Sequence, residues 1–191
     1  MNIDSSSEEF FESKYAAAAD PWDFETSAYE RNRYTTIVRA LQGRRYKRAF
    51  EPGCSIGLLT LELACICDSV EAIDISPTAV ACARARCAAC ENVTVRQGKL
   101  PGSVPDGLFD LIVFSEIGYY FAADVLTKIV QDLVGRLTPE GLFLAAHWLG
   151  VSPDHRLKGD QVHALLEGTP GLTPTFAERH EGFRIERWTR I

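Results

Sequence analysis

The alternation of strand patterns with helix patterns from residue 49 onward most limits what this chain can fold into. Short apolar runs bounded by turn residues predict strands, and the longer segments between them carry helix signals. The predicted strands are 49–51, 69–75, 93–97, 109–115 and 142–148, and the predicted helices between them are 57–67, 77–89 and 124–137. This order predicts an α/β fold with a mostly parallel sheet and helices on both of its faces.

Start and stop signals predict several element ends. Ser27, with a glutamate three residues later, has the capping-box form and predicts a helix over 28–41. Ser76 before Pro77 predicts a second helix start, because proline in the first helical turn costs no hydrogen bond. Residues 138–141, TPEG, predict a turn before the fifth strand.

The two ends of the chain carry weaker patterns. Residues 1–26 predict an irregular or partly helical segment with a turn at 19–22. After the fifth strand, a loop leads to a helix that opens at Asp160. Residues 173–191 alternate in two runs around Glu181 and the following glycine, which predicts a terminal antiparallel hairpin.

Composition and charge narrow the classes of function. The 191 residues are 46% hydrophobic and carry a formal net charge of −6. This fits one globular domain and argues against a nucleic-acid partner or an anionic membrane surface, which need a basic face. The basic stretch 44–48 is interpreted as a solvated loop. Without a signal-peptide pattern or a run of roughly 18 apolar residues, we expect a cytoplasmic protein with no membrane partner.

Six cysteines lie between residues 54 and 90. In a cytoplasmic chain we expect them to stay reduced and to pack as small apolar side chains. Cys65 and Cys67 are two positions apart on a predicted helix, so their side chains point about 200° apart and cannot both face one ion. We therefore expect no metal site.

The turn after the first strand, in the stretch AFEPGCSIGLLT, predicts a ligand site. Gly53 and Gly57 allow a tight turn and a close approach of the backbone to a ligand. The stretch lacks the third glycine of a dinucleotide motif and the Gly-Lys-Ser/Thr of a phosphate-binding loop. Glu51, directly before the turn, is placed to accept a hydrogen bond from an ammonium group.

A second carboxylate follows at the end of the next strand. Asp74 lies 23 residues after Glu51, close to the spacing of a carboxylate that receives ribose hydroxyls. A nucleoside that carries an amino acid and no phosphates suits these two carboxylates better than a dinucleotide does.

Four stretches carry a family resemblance. EPGCSIG, AIDIS, FDLIVFSEIGYYF and LTPEGLFLAAHW resemble the motifs of class I S-adenosylmethionine (SAM)-dependent methyltransferases, across nearly the whole chain. DPW, YERNRY and SEIGYY resemble the NodS-like N-methyltransferases, whose nodulation member methylates the free amine of a chitooligosaccharide. Ser55 stands where the motif has its middle glycine, and Lys99 stands where the family often has an aspartate that faces adenine.

The resemblance implies a fold, a cofactor and a reaction. The fold would be Rossmann-like, with a seven-stranded mostly parallel sheet and a C-terminal antiparallel hairpin. The single domain would span 1–191, with cofactor-lid helices in 1–45 and the core in 46–191. The reaction would move a methyl group from SAM to a small-molecule acceptor, above all an amine and in particular an amino sugar, and leave S-adenosylhomocysteine.

The resemblance also implies which residues hold the cofactor. Arg33 would pair with the methionyl carboxylate, and Trp22 would pack on the cofactor from the lid. The full set is Trp22, Tyr29, Arg33, Glu51, Gly53, Cys54, Gly57, Asp74, Ile75, Lys99, Leu100 and Ser115.

Three residues are candidates for the acceptor side. Glu116 follows the fourth strand and His147 lies near the end of the fifth, and either would serve as a base for an ammonium substrate. Tyr119 would line the pocket and present its ring face to a cation. The alternatives are an O- or S-methyltransferase of natural-product type and a SAM-binding protein without catalysis. A monomer or a homodimer is expected.

Overall fold

The alternating pattern folds into a seven-stranded mixed sheet with helices, in a computed structural model that describes residues 4–191. The strand order is β3-β2-β1-β4-β5-β7-β6. The predicted fold class is confirmed. The chain divides into two units, the first ending at Lys99 and the second beginning at Leu100.

In the described part of the first unit, residues 4–99, there are three parallel strands and four helices. β1 pairs with β2 and β2 pairs with β3, all in parallel. The elements are α1 (Glu8–Ala17), α2 (Ala28–Ala40), β1 (Ala49–Pro52), α3 (Leu58–Ile66), β2 (Val70–Asp74), α4 (Pro77–Arg86) and β3 (Val93–Gln97).

The second unit contains the other four strands. β4 and β5 are parallel, whereas β7 is antiparallel to both β5 and β6, as the predicted terminal hairpin requires. The elements are β4 (Phe109–Ser115), a 3₁₀ turn (Gly118–Tyr120), α5 (Ala123–Gly135), β5 (Leu137–Trp148), α6 (Gly159–Glu167), β6 (Leu172–Arg179) and β7 (Phe183–Arg190).

Serine caps start α2 and α4, as predicted. The Ser27 hydroxyl accepts the amide hydrogen of Glu30, with a donor–acceptor distance of 3.4 Å. The Ser76 hydroxyl accepts the amide hydrogen of Ala79 at 3.0 Å. Each hydroxyl satisfies one of the amides that has no partner within its own helix.

The turn predicted at 138–141 falls within the range of β5, at a break in its pairing with β4. The register shifts between Phe109↔Leu137 and Leu111↔Leu142, so β5 has three more residues than β4 across this break. Glu140 there has the left-handed φ of 61°, which is typical of a tight turn. The sequence predicted these turn residues but not that strand pairing already begins before them, at Leu137.

The cysteine prediction needs one correction. The helix predicted over 57–67 ends at Ile66, so Cys67 follows it in an extended conformation. Cys67 is buried and Cys65 is exposed. All six cysteines are free thiols.

Apolar burial follows the strands. In β4, Phe109 and the four residues Leu111 to Phe114 are fully buried, as its continuous apolar run predicted. No helix found within residues 4–191 combines the length and the apolar character needed to cross a bilayer.

Candidate functional site

The loop after β1 bends through three residues with left-handed backbone. Gly53 has φ 76°, Ser55 has φ 51° and Gly57 has φ 84°. The middle one is not glycine, which is uncommon and costs backbone energy. The Gly57 amide donates to the Cys54 carbonyl at 3.0 Å and closes the turn that leads into α3.

Gly57 also permits close packing of the helices that follow. A Cβ at this position would lie 2.9 Å from the Ala83 Cα of α4. Together with the positive φ, this contact excludes a side chain at position 57. The glycine is therefore required by both the loop and the packing behind it.

The carboxylate of Asp74 ties the end of β2 to this loop. Its Oδ2 accepts the Ser55 amide hydrogen at 2.8 Å, and its Oδ1 accepts that of Ser76 at 2.9 Å. Burial raises the pKa of Asp74 to about 6, although its hydrogen bonds with the backbone amides oppose the shift. The structure thus brings Asp74 and the loop after β1 together.

Glu51 lies buried at the end of β1. Its Oε2 accepts the Thr60 hydroxyl hydrogen at 2.6 Å. Burial raises the pKa of Glu51 to about 8, and the charge of Asp74 acts in the same direction. A bound cation would favour the ionised form of this carboxyl group.

The N-terminal helix contacts the same loop through residues that the motif comparison did not indicate. The Tyr15 hydroxyl lies 2.5 Å from the Ser55 hydroxyl. The Glu12 carboxylate accepts from the Ser76 hydroxyl at 2.6 Å and from Thr78 at the start of α4. The hydrogen bonds with Ser76 and Thr78 lower the pKa of Glu12. Only the fold reveals these contacts, which span some 40 to 66 residues of chain.

Trp22 belongs to an aromatic group of this N-terminal segment. Its ring stacks on Phe24 at 5.6 Å and meets Tyr15 edge-on at 5.5 Å. It packs against the cluster that contains Ile56 of the loop. Nearby in sequence, Asp20 Oδ1 is buried and has no hydrogen-bond partner within residues 4–191.

Arg33 is almost completely buried on α2. Its guanidinium donates to the Glu30 carboxylate, through Nε at 3.0 Å and through a terminal nitrogen. Tyr29 lies half-buried one helical turn earlier. The Nε and the terminal nitrogen of Arg33 both donate to the same oxygen, Glu30 Oε2, so the structure gives Arg33 a carboxylate partner from its own helix. Its pairing with a methionyl carboxylate stays a prediction.

The other predicted cofactor residues differ in exposure. The Cys54 side chain packs in an apolar cluster with Ala72 and Val80. Within the loop, Cys54 therefore offers only its backbone to a ligand. Ile75 is half-buried and Lys99 is exposed. Leu100 and Ser115 are buried and belong to the second unit.

Glu116 and Tyr119 are joined in the second unit. Glu116 follows β4 with a left-handed φ of 60°. One of its carboxylate oxygens accepts the Trp148 amide hydrogen at 2.8 Å, and the other accepts the Tyr119 hydroxyl hydrogen. The structure thus brings together two of the three predicted acceptor-side residues.

Aromatic side chains surround this pair. The His155 ring stacks on Tyr119 at 3.7 Å, meets Tyr120 edge-on at 5.1 Å and lies 6.0 Å from Trp148. Burial lowers the pKa of His155, although Glu116 opposes the shift. The Tyr119–His155 contact joins residues 36 positions apart, so only the fold reveals it.

His147 does not serve as an open base in this structure. It is completely buried, and its Nε2 accepts the Gly118 amide hydrogen at 3.1 Å. Its Nδ1 lies 3.2 Å from His163 Nε2. The expectation of a second base facing the acceptor is therefore not supported by its position, because a base needs a lone pair that reaches the substrate.

The side chains of the first unit fit a nucleoside that carries an amino acid. Two buried carboxylates lie at strand ends, where α/β folds bind their ligands. The loop after β1 contains neither a lysine nor a phosphate-binding motif. The Asp20 oxygen that has no partner would accept a hydrogen bond from a ligand donor.

Comparison with known proteins identifies relatives over most of the chain. The family model for nodulation protein S (NodS) matches residues 5–148. Nodulation protein S of Sinorhizobium fredii is 32% identical over 127 residues, which cover 65% of this chain and 59% of that protein. The chain thus spans less than two thirds of the length of this curated relative.

Two solved structures give the same picture of the fold. A candidate methyltransferase from Pseudomonas syringae is 38% identical, with a TM-score of 0.74 over 86% of this chain and 100% of that one. The N-methyltransferase NodS from Bradyrhizobium japonicum, solved with S-adenosylhomocysteine, has a TM-score of 0.85 at 23% identity, over 98% and 99% of the two chains. Since the family model matches well over half of its residues, this chain belongs to the nodulation protein S (NodS) family.

Proposed function

We propose that this chain is a SAM-dependent methyltransferase that methylates the amine of a small molecule. The observation that carries the proposal is the loop after β1, which is tied to Asp74 and lies next to the buried Glu51. The membership of this chain in the NodS family supports the same reaction. One structural relative is an N-methyltransferase in complex with S-adenosylhomocysteine.

The cofactor would be held mainly by residues of the first unit. Asp74 would accept hydrogen bonds from the ribose hydroxyls, and Glu51 would accept one from the methionyl ammonium. Trp22, Tyr29 and Arg33 remain proposed contacts of the N-terminal segment. The other proposed contacts are Gly53, Cys54, Gly57, Ile75, Lys99, Leu100 and Ser115.

The acceptor would be held by the Glu116–Tyr119 pair and its aromatic neighbours. SAM supplies a methyl group that is electrophilic because it is bonded to a sulfonium. The amine must present a neutral lone pair to that carbon, so a proton must leave an ammonium substrate first. The Glu116 carboxylate and the neighbouring ring faces suit a cationic amine, because carboxylates and aromatic rings both attract positive charge.

Calorimetric titration with SAM and S-adenosylhomocysteine tests the cofactor. Asp74→Asn is expected to weaken binding by about ten- to a hundredfold, because hydrogen bonds with a charged group contribute about 1.5–3 kcal/mol. Glu71→Gln is the matched control, since Glu71 lies on the same strand but pairs with Arg48 and Arg96. No binding of either compound to the wild-type protein would exclude the proposal.

A panel of acceptors tests the amine. The panel contains amino sugars, simple primary amines, phenols and thiols, and methyl transfer is followed by mass spectrometry. We expect turnover of amines, because the Glu116 carboxylate and the Tyr119 ring joined to it both attract positive charge. Turnover of phenols or thiols alone would replace the proposal with an O- or S-methyltransferase, and SAM binding without turnover would favour a non-catalytic protein. The cytoplasmic location, the single domain and the monomeric or homodimeric state remain predictions.

A further inference from the structure

A chain of buried polar groups in the second unit ends at the acceptor-side residues. His163 of α6 lies between His147 of β5 and Glu186 of β7. Its Nε2 is 3.2 Å from His147 Nδ1, and its Nδ1 is 2.6 Å from a Glu186 oxygen. Both histidines have no exposed surface. His163 and Glu186 lie beyond the 5–148 segment that the family model matches.

The positions of the hydrogens in this series of hydrogen bonds follow from its first donor, the Gly118 amide. The Gly118 amide can only donate, so His147 Nε2 must accept and His147 must carry its proton on Nδ1. That N–H then donates to His163 Nε2, which leaves the His163 proton on Nδ1, facing Glu186. Each imidazole is neutral and has one possible tautomer in this arrangement.

The close fit around Gly118 shows that the contact is built into the packing. A Cβ at this position would lie 2.8 Å from His147 Nε2 and 2.5 Å from a Val162 methyl carbon. Only glycine allows the amide to approach the imidazole this closely. Val162 precedes His163 on α6, so this helix contributes to both contacts.

Gly118 begins the turn that carries Tyr119. The Tyr119 hydroxyl donates to Glu116, while its carbonyl accepts the amide hydrogens of Arg156 at 2.8 Å and Leu157 at 3.2 Å. A shift of Gly118 would therefore move Tyr119 and, with it, both the carboxylate and the 150–158 loop that holds His155.

We propose that His163, acting through His147, is a positioning residue that holds the Gly118–Tyr120 turn and so places Glu116 and Tyr119 for the acceptor, and that acid releases this hold. The inference rests on the proposed function for its effect on turnover. The hydrogen-bond chain and its effect on the turn stand on the structure alone.

Protonation would break the chain at a defined atom. A proton on His163 Nε2 would place two N–H groups against each other, because His147 Nδ1 already carries one. Burial lowers the pKa of His163; Glu186 of β7 and Asp160 of α6 oppose the shift, and Arg184 supports it. Arg179 of β6 pairs with Asp160. The hydrogen bonds from Gly118 to Glu186 are therefore intact at neutral pH and break only at acidic pH.

Two variants of His163 separate positioning from bulk packing. His163→Leu removes both hydrogen bonds, whereas in His163→Gln the amide can accept from His147 and donate to Glu186 without titrating. We expect His163→Leu to raise the KM for the best amine of the acceptor panel at least tenfold, with SAM affinity unchanged. We expect His163→Gln to keep the wild-type KM at neutral pH. We also expect this variant to lack the rise in KM that the wild-type protein shows when His163 is protonated in acid.

Nitrogen-15 NMR of the histidine rings tests the hydrogen bonds of His147 and His163 without any substrate. We expect both His147 and His163 to carry the proton on Nδ1 at neutral pH, and the Gly118 amide and Tyr119 ring signals to shift in acid at the pH where His163 titrates. These signals should stay constant in His163→Gln. A proton on Nε2 of either ring, or a Tyr119 signal that ignores the His163 titration, would overturn the inference. Failure of SAM binding would remove the proposed function and leave these NMR results unchanged.

Discussion

At the scale of single residues, Ser55 shows how a motif position tolerates a substitution. The family motif has glycine where this chain has Ser55, and the residue keeps the left-handed φ of 51° that glycine adopts easily. The serine hydroxyl lies 2.5 Å from the Tyr15 hydroxyl, which gives the strained residue a partner. The strain and the hydrogen bond therefore oppose each other at one position.

A pair of substitutions separates these two contributions. In the wild-type protein we expect Ser55→Gly to destabilise the fold by about 1 kcal/mol or more, because it leaves the buried Tyr15 hydroxyl without this partner. In a Tyr15→Phe background we expect the same substitution to stabilise by up to about 1 kcal/mol, since only the backbone strain remains to be relieved. Denaturant unfolding measures both, and equal signs in the two backgrounds would contradict the interpretation.

Glu51 predicts a stability that depends on pH. Its pKa is about 8 in the folded chain, above the usual 4.5, so the unfolded chain releases this proton first. The contribution of protonated Glu51 to the free energy of unfolding is therefore fully present below pH 4.5 and is lost as the pH rises to about 8. Relative to Glu51→Gln, the wild-type free energy of unfolding should fall by about 1.4 kcal/mol per pH unit in this window.

Asp160→Asn is the control for that measurement. Arg179 and Arg184 lower the pKa of Asp160 to about 2, so its carboxylate is ionised in both the folded and the unfolded chain between pH 5 and 8. Its difference from the wild type should stay constant there. If the Glu51→Gln difference were equally constant, the raised pKa of Glu51 would be refuted.

At the scale of elements, the regular patterns were predicted correctly and the irregular ones were not. Ser76 and Pro77 start α4 as predicted, because a cap acts on amides only a few residues away. The fifth strand was predicted to start at 142 but starts at Leu137, because pairing with β4 continues on both sides of the turn residues 138–141. The turn at Gly118–Tyr120 was not predicted at all.

The approach of α3 to α4 depends on Gly57. We expect Gly57→Ala to destabilise the fold both through its positive φ and through overpacking against Ala83, the latter costing about 1–3 kcal/mol. Gly43→Ala is the matched control, because Gly43 has φ 105° and a Cβ added there would meet no atom within 4 Å. Thermal or denaturant unfolding should give a clearly larger loss for Gly57→Ala, and similar losses would argue against the close contact.

At the scale of the whole molecule, the candidate residues divide between the two units. The carboxylates Glu51 and Asp74 and the N-terminal aromatic group belong to the first unit. The Glu116–Tyr119 pair and His155 belong to the second unit. Apart from Leu100 and Ser115, which are proposed cofactor contacts in the second unit, this division parallels the donor and the acceptor of the proposed methyl transfer.

Kinetics with paired variants test this division. Tyr119→Phe is expected to raise the acceptor KM or lower kcat by about ten- to a hundredfold while SAM affinity stays unchanged, because it removes a hydrogen bond with the Glu116 carboxylate. Asp74→Asn is expected to have the opposite pattern: it should weaken SAM binding and have little effect on the acceptor KM. Equal effects of both variants on both substrates would contradict the division.

The sequence by itself determined the fold class, the family and the main carboxylates of the candidate site. These depend on hydrophobic periodicity and on residues within one strand–loop–helix unit, which are local in the chain. The tertiary structure alone decided that Tyr15 reaches Ser55, that His155 stacks on Tyr119, and that His147 contacts Gly118 and His163. Each of these contacts joins residues far apart in sequence, and burial and hydrogen-bond partners, which set what a side chain can do, exist only once the chain has folded.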